Sequence, residues 1–475
     1  MIVRSSLNYS EADQAGACNQ TESEMNSSRN RSRREFLMKS LGSACLAPGV
    51  FFAGTEWPTM PSPVHPGQHE HGRVPIGRQL SSTGIRHLHE TVAGYVQRGE
   101  VPGLTTCLAR RDEVNVDALG TRTIDAGDQP VRRNTIFRIA SMSKAITAAA
   151  ALILVEEGKF KLDDPVDHFL PELANRKVLK KIDGPIDDTV SAKRAITVRD
   201  LLTFRLGTGL LLADPAKHPI VAKMYDLHVG VTPFPVQMQL TPDEWTKNLG
   251  SLPLIYQPGE SWLYHTGSDI LGVLIARASG CALETFFRER IFEPLGMKDT
   301  AFSVPPNKLD RFVACYSLNP ETKKLDVTDP IEGQWSHPPK FPSGGGGLTS
   351  TVDDYLAFAR MLLNKGQAGK KRLVSAASIE MMTTNQITVE QQEMGRLILG
   401  PNTGWGFGVS VLVKPDGFST HPGRYGWNGG LGSSWWNDPN EGLIAIILTE
   451  RAFESADPPS VIKDFWRSAY QAVQH

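Results

Sequence analysis

Phe137-Arg138-Ile139-Ala140-Ser141-Met142-Ser143-Lys144-Ala145-Ile146-Thr147-Ala148-Ala149-Ala150-Ala151-Leu152-Ile153-Leu154-Val155 is the stretch on which the fold turns. From Ala145 to Val155 a helix would be apolar on every side, and such a helix must be buried. Its alanines let neighbouring backbone approach closely, and Gly158 suits its C-terminal cap. Residues 135–140 read as a short extended entry, so the helix begins at Ser141. Ser141 and Lys144 then share one face of its first turn.

A serine hydroxyl is a poor nucleophile without a base, and a lysine amine serves only if its pKa falls toward neutrality. The apolar helix supplies the burial that lowers it, and the helix N-terminus adds a positive dipole beside both groups. The same terminus offers the Ser141 N–H as half of an oxyanion hole. Spacing alone decides nothing, because Ser460-Val461-Ile462-Lys463 repeats the pattern. Ser460 follows two prolines and opens an amphipathic helix, where a serine reads as an N-cap and a lysine as a solvated charge.

Working outward, a helix is expected from Ile85 through Val96, then strands over 104–110 and 113–118 around the Arg111-Asp112 turn. Residues 160–345 read as helical with long Pro-containing loops, including helices over 198–204, 267–278 and 283–291. The glycine run 344–347 leads to Ser350, a candidate N-cap for the helix through Leu356 and Leu363. Beyond Thr403 the pattern changes to strands over 405–413, 425–437 and 443–449, closed by an amphipathic helix over 460–473. Strands at both ends with helices between predict an α/β (α+β) chain. Residues 86–159 and 345–475 would form an α/β lobe, with a mainly helical lobe, 160–344, inserted into it and the site in the crevice between them.

The N-terminal residues carry a different message. Residues 1–35 are polar and lack apolar periodicity. Ser32-Arg33-Arg34-Glu35-Phe36-Leu37-Met38-Lys39 then precedes a weakly hydrophobic stretch, the pattern of a twin-arginine export signal occupying 1–54. It predicts an exported protein, periplasmic or secreted, that meets the export machinery, with Met25 as an alternative start. Residues 55–85 read as a Pro/Gly/His-rich linker. His65, His69 and His71 lie in it without a carboxylate-rich scaffold, so no metal is expected there, and the chemistry at Ser141 needs no cofactor. Cys18, Cys45, Cys107, Cys281 and Cys315 are too scattered for a disulfide framework or a zinc site, and the apolar run before Cys45 is too short for lipidation. No other stretch approaches the roughly 18 apolar residues that span a bilayer. With 50 basic and 51 acidic side chains, no long-range field draws nucleic acid or acidic lipid, which leaves a small-molecule partner.

The segment around Ser141, with Leu154-Val155-Glu156-Glu157-Gly158-Lys159 and Leu162-Asp163-Asp164-Pro165-Val166 behind it, resembles the first motif of the β-lactamase-related serine hydrolases. That family includes class C β-lactamases, penicillin-binding DD-peptidases, D-aminopeptidases and esterases. Asp200-Leu201-Leu202-Thr203, Gln257-Pro258-Gly259-Glu260, Pro294-Leu295-Gly296-Met297 and residues 343–351 extend the resemblance from about residue 86 to 470. It implies an antiparallel sheet flanked by helices plus a helical lobe, and an acyl-enzyme mechanism through Ser141 with Lys144 as base.

The family's second motif, Tyr-x-Asn, reads Tyr264-His265-Thr266. The resemblance makes Tyr264 a second basic or proton-relaying group. Thr266 stands where Asn would bind substrate, its hydroxyl still able to bond Lys144, and His265 is expected to point away. The third motif matches Trp427-Asn428-Gly429 on a strand lining the substrate. Gly430 supplies, by resemblance, the second oxyanion N–H. Trp427 departs from the pattern: a lysine there would attract the carboxylate of a β-lactam or a D-alanyl peptide, and an indole cannot. An ester is therefore the first expectation. A lactam or D-amino-acid peptide comes second, with Arg424 as a candidate cation. A binding or sensing module without activity is the reading of another class, and the intact Ser141, Lys144 and Tyr264 speak against it.

Overall fold

One seven-stranded antiparallel sheet is built from the two ends of the chain. A computed structural model describes residues 79–473, except 125, 126, 128 and 231–236. The twin-arginine segment, Cys18, Cys45 and His65, His69 and His71 of the linker lie outside the described residues.

The strands are β1 (Gly103–Arg110), β2 (Glu113–Gly120), β3 (Thr403–Trp405), β4 (Ser410–Leu412), β5 (Tyr425–Gly429), β6 (Ser433–Asp438) and β7 (Leu443–Thr449), in the order β3-β4-β5-β6-β7-β1-β2. The Arg111-Asp112 turn joins β1 to β2 as expected, with Arg111 at φ +55°. β1 pairs with β7 from Leu104 opposite Thr449 to Arg110 opposite Leu443, so strands more than 300 residues apart lie side by side inside the sheet.

Both faces of that pair are covered, which explains why β1 and β7 are buried along their whole length. Leu104, Leu108, Leu443, Ala445 and Ile447 pack with Leu88 and Val92 of α1 (Ser82–Gln97) and Phe465 of the C-terminal helix. Cys107, Ala109, Ile444, Ile446 and Leu448 face the larger core, which contains α2 (Ser143–Glu156). Alternating side chains thus feed two helix layers. The protein is an α/β fold with an antiparallel sheet flanked by helices.

α2 is the buried helix that the sequence calls for. Every residue from Ser143 to Leu154 is buried, and Gly158, at φ +72°, follows its C-terminus. The small side chains do what their size allows: a Cβ on Gly408 would fall 2.8 Å from Ala148 Cβ and 2.7 Å from the Lys144 carbonyl. Thr147 donates to the Gly344 carbonyl at 2.7 Å. α2 packs on α3 (Thr266–Ser279), and α4 (Val352–Leu363) flanks the sheet. Truncating a side chain such as Leu154 to Ala in this core would cost about 2–5 kcal/mol.

Several boundaries differ from expectation. The helix does not start at Ser141: Ala140–Met142 is a single 3-10 turn and α2 begins at Ser143. Residues 405–413 form part of the hairpin β3–β4 and not one strand, and 425–437 turn back at Gly430-Leu431-Gly432 to give β5 and β6. Thr351, not Ser350, caps α4, its side chain accepting from Asp354 N–H. The segment between the sheet halves also holds three small hairpins, Lys177–Leu179 with Thr189–Ser191, Cys315–Leu318 with Leu325–Asp329 and Gln367–Ala368 with Lys371–Arg372. At the far end, α5 (Ser460–Gln471) takes Pro459 as its N-cap, so Ser460 is the first helical residue and does not cap it.

Candidate active site

The chain enters the site through the short strand Phe137–Arg138, which pairs with Thr349–Ser350. Arg138 is buried and ion-paired with buried Asp329, and it donates to the Val313 carbonyl at 2.7 Å. Ala140 then takes φ +43°, a conformation that costs an ordinary residue about 1–3 kcal/mol. The bend is held from outside. Ile139 N–H donates to Leu348 O and Met142 N–H to Ile139 O, each at 3.0 Å, and Tyr355 of α4 donates to Met142 O at 3.0 Å. Ser141 is thereby fixed on a tight turn at the mouth of α2, only 3% exposed.

Lys144, one turn further on, is fully buried. Its Nζ lies 2.9 Å from Ser141 Oγ, and it donates to the Gly345 carbonyl. Burial drives the ammonium pKa down to about 7, although Asp269 pulls the other way. The amine also stands 4.6 Å from the centre of the Tyr264 ring. An amine neutral near pH 7 and in contact with a serine hydroxyl can take that hydroxyl's proton.

Tyr264 precedes α3 and is pinned by Leu263 N–H on Phe204 O and by Leu210 N–H on its own carbonyl, both at 2.9 Å. Burial pushes the phenol pKa above its usual value, and hydrogen bonds from Ser141 and Trp427 act against that. The indole N–H of Trp427 donates to the phenol oxygen at 2.6 Å. Phe204, Trp262 and Trp405 pack around the pair. A phenol held in this apolar ring stays protonated at neutral pH, so it can pass a proton but does not begin as an anionic base.

Several expectations are corrected. His265 does not point away: its Nδ1 is 3.1 Å from Lys144 Nζ and its Nε2 is 3.0 Å from Asp269 Oδ2. The cause is backbone geometry, since φ +80° at His265 turns its side chain, and not that of Thr266, toward the amine. Thr266 is buried in the first turn of α3 and does not bond Lys144, whose partners are Ser141, His265 and Gly345. Asn428 lies on the wrong face of the sheet. Its Oδ1 accepts from Ser434 Oγ at 2.6 Å, and Ser434 in turn accepts from Trp466 of α5. Strand alternation sends Trp427 to one face and Asn428 to the other.

Arg424 is on that other face too, paired with Asp416 at 2.5 Å and 4.9 Å from the Trp436 ring. It cannot supply a cation beside Ser141. Gly429 is needed for close approach, but to protein: a Cβ there would sit 2.3 Å from the Ile139 carbonyl and 2.1 Å from Ser433 Oγ. That contact presses the β5–β6 turn, with Gly430 next in line, against the turn carrying Ser141.

The sequence reading did not credit Asp269, Ser343 and Gly345. Asp269 Oδ1 accepts from Ser343 Oγ at 2.6 Å and from Gly345 N–H at 2.9 Å. Burial raises its carboxyl pKa, but His265 and these donors outweigh burial and leave it below the ordinary value. The signal was present as a His and an Asp four residues apart at the start of α3, one helical turn. A cavity of about 70 Å³ borders His265, Thr266, Asp269 and Ser343, and Met238, Trp245, Trp335 and Phe341 are among its other walls.

The beta-lactamase family profile matches residues 88–462. This chain belongs to that family. The beta-lactamase-family relatives include Rv1367c of Mycobacterium tuberculosis, 37% identical over 361 residues that cover 74% of this chain and 86% of that protein. Esterase EstB of Burkholderia gladioli is 32% identical over 381 residues, covering 76% of this chain and 88% of EstB. Among solved structures, EstCE1, described as a hydrolase with promiscuous acyltransferase activity, shares the fold. Its TM-score is 0.66 at 24% identity, covering 82% of this chain and 98% of that one.

Proposed function

We propose that this protein is a serine hydrolase that cleaves carboxylic esters through an acyl-enzyme on Ser141. The observation that carries the reading is the buried Lys144 amine, with a pKa near 7, at 2.9 Å from the Ser141 hydroxyl. As Oγ attacks the ester carbonyl, Lys144 takes its proton. The backbone N–H groups of Ser141 and Gly430 receive the oxyanion. Tyr264, neutral and steadied by Trp427, passes its proton to the departing alkoxide, which leaves as the alcohol, and the Lys144 ammonium replaces the proton on Tyr264 so that the amine is free again. Water then attacks the acyl-serine as Lys144 takes one of its protons, and Lys144 returns that proton to Ser141 Oγ as the carboxylic acid departs, which restores both residues.

Trp427 supports an ester over a β-lactam or a D-alanyl peptide. It fills the strand position beside Tyr264 with an indole, and Arg424 is committed to the opposite face. A substrate carboxylate would find no cation from either residue. The likeness to EstB supports the same choice. We place the enzyme outside the cytoplasm on the Arg33-Arg34 segment, and fractionation of cells expressing the full chain and an Arg33→Lys, Arg34→Lys variant tests this.

The test of activity uses a short-chain nitrophenyl ester and a chromogenic cephalosporin. Ester turnover that falls at least about a thousandfold in Ser141→Ala supports the proposal. Turnover of the cephalosporin alone, or ester turnover that survives the substitution, overturns it.

A further inference from the structure

Resting on that reading of Ser141 and Lys144, we propose that His265 and Asp269 are positioning residues that orient the Lys144 amine so that its lone pair faces the Ser141 hydroxyl. A neutral amine has two N–H groups and one lone pair. Nζ has three neighbours to serve: Gly345 O, His265 Nδ1 at 3.1 Å and Ser141 Oγ at 2.9 Å. If Gly345 O and His265 Nδ1 each take an N–H, the lone pair is left for the serine proton. Remove either acceptor and the amine can turn an N–H toward Ser141, which makes it a donor where a base is needed.

The arrangement requires an unprotonated Nδ1. Asp269 enforces it, because an ionised carboxylate only accepts, and so Nε2 must carry the ring proton that meets Oδ2 at 3.0 Å. Asp269 is itself anchored independently of the imidazole, through Ser343 Oγ and Gly345 N–H on its other oxygen. The Gly345 peptide group therefore ties both ends of the array, its N–H on Asp269 and its carbonyl on Lys144.

Two costs point to the same conclusion. His265 holds φ +80° and ψ −62°, where glycine would be relaxed and any other residue is strained by about 1–3 kcal/mol. Opposite it, a Cβ on Gly345 would lie 3.1 Å from the imidazole and 3.0 Å from Asp269 Oδ1, so the ring occupies the room that a side chain there would need. A strained histidine against a residue where any side chain would crowd the ring is costly as plain packing, and it becomes intelligible if the ring's place beside Lys144 matters.

The charged and titratable groups facing the ring are Lys144 from α2, the adjoining Tyr264 and Asp269 from α3. The glycine loop contributes Ser343 and backbone only, among the described residues. Burial and the Lys144 charge lower the imidazole pKa while Asp269 raises it, and the net direction is down. The ring is thus neutral when Lys144 is, as its accepting role demands.

The experiment compares His265→Gly, His265→Asn and Asp269→Asn with the wild type on the nitrophenyl ester from acid to alkaline pH. Ser141→Ala serves as the reference for loss of the whole reaction. His265→Gly relaxes the backbone, so a rate loss at an unchanged melting temperature is a property of the missing ring. Expected is a fall in kcat of about 10–100-fold with KM nearly unchanged. His265→Asn, which returns an amide oxygen near Nδ1, should recover part of the rate. Asp269→Asn should lower kcat and move the acid limb of kcat/KM to lower pH, since it removes the charge that holds the Lys144 pKa up. If His265→Gly and Asp269→Asn both stay within about twofold of wild type, the proposal is wrong. It is equally wrong if kcat falls but the pH limb stays put and His265→Asn is no better than His265→Gly, because packing alone would then explain the loss. Ester turnover persisting in Ser141→Ala would instead sink the function on which the proposal rests.

Discussion

Ser141–Lys144 and Ser460–Lys463 are the same four-residue spacing placed in two environments. In the first, the lysine is fully buried, touches the serine oxygen at 2.9 Å and loses its proton near pH 7. In the second, the lysine side chain is 40% exposed and reaches away to Asp457 at 2.5 Å. Ser460 there is simply the first residue of α5. Helical spacing makes a serine and a lysine neighbours, but it does not make the lysine a base. That depends on whether the surrounding protein withholds water from the ammonium, and α2 does so because its alanines admit backbone on every side.

The largest test of this contrast is Lys144→Met. Loss of a positioned base typically costs about 10²–10⁴-fold, and kcat for the ester should fall by that order. Stability supplies a second reading with a definite sign. In the folded protein the amine titrates near 7 and in the unfolded chain near its ordinary value. The penalty of burying it is absent above the unfolded pKa, grows as pH falls, and is complete below about 7. Between those limits the unfolded state holds more protons, so the stability of wild type relative to Lys144→Met should rise with pH by at most about 1.4 kcal/mol per unit. Urea unfolding of both proteins at several pH values measures this. A flat difference across the window would mean that Lys144 is not buried as an amine.

Much of that contrast was legible from the residues alone. An all-round apolar helix can only be buried, and the proline-led, amphipathic α5 can only be half-exposed, so the two lysines separate on residue pattern. The antiparallel pairing of β1 and β2 followed from alternating residues around Arg111-Asp112. What escaped depended on backbone angles and on strand parity. No pattern announces φ +80° at His265, and without it the ring would not meet Lys144. Asn428 could have been placed correctly, because neighbours on a strand face opposite ways and Trp427 already claimed the site face. The hairpins between the sheet halves and the break of residues 405–413 into β3 and β4 were missed because their strands are only two to five residues long, too short for a period to show. Ser350 and Thr351 differ by one position, which cap preference does not resolve.

A middle-sized effect is expected at Trp427, the residue by which the buried site differs most from a site for anionic substrates. Trp427→Phe keeps an aromatic ring against Trp405 and Tyr264 but removes the N–H that meets the phenol oxygen at 2.6 Å. One hydrogen bond of this kind is worth about 0.5–1.5 kcal/mol, so kcat should drop by roughly 2–10-fold, with KM little changed. Steady-state kinetics on the same ester checks it. An unchanged kcat would show that Tyr264 needs no help from the indole and would shift the role of Trp427 wholly to shaping the substrate.

The smallest effect should come from the second motif, and its smallness is the point. Ser460→Ala removes no side-chain cap, because Pro459 holds that position, and Lys463→Met breaks an exposed ion pair with Asp457. Exposed pairs contribute about 0–1 kcal/mol, so both variants should unfold within about that margin of wild type and hydrolyse ester at the wild-type rate across the whole pH range. If Lys463→Met altered the pH profile, then the environment argument would fail. A solvated lysine would be influencing a buried site on the far face of the sheet, and burial would no longer separate the two motifs.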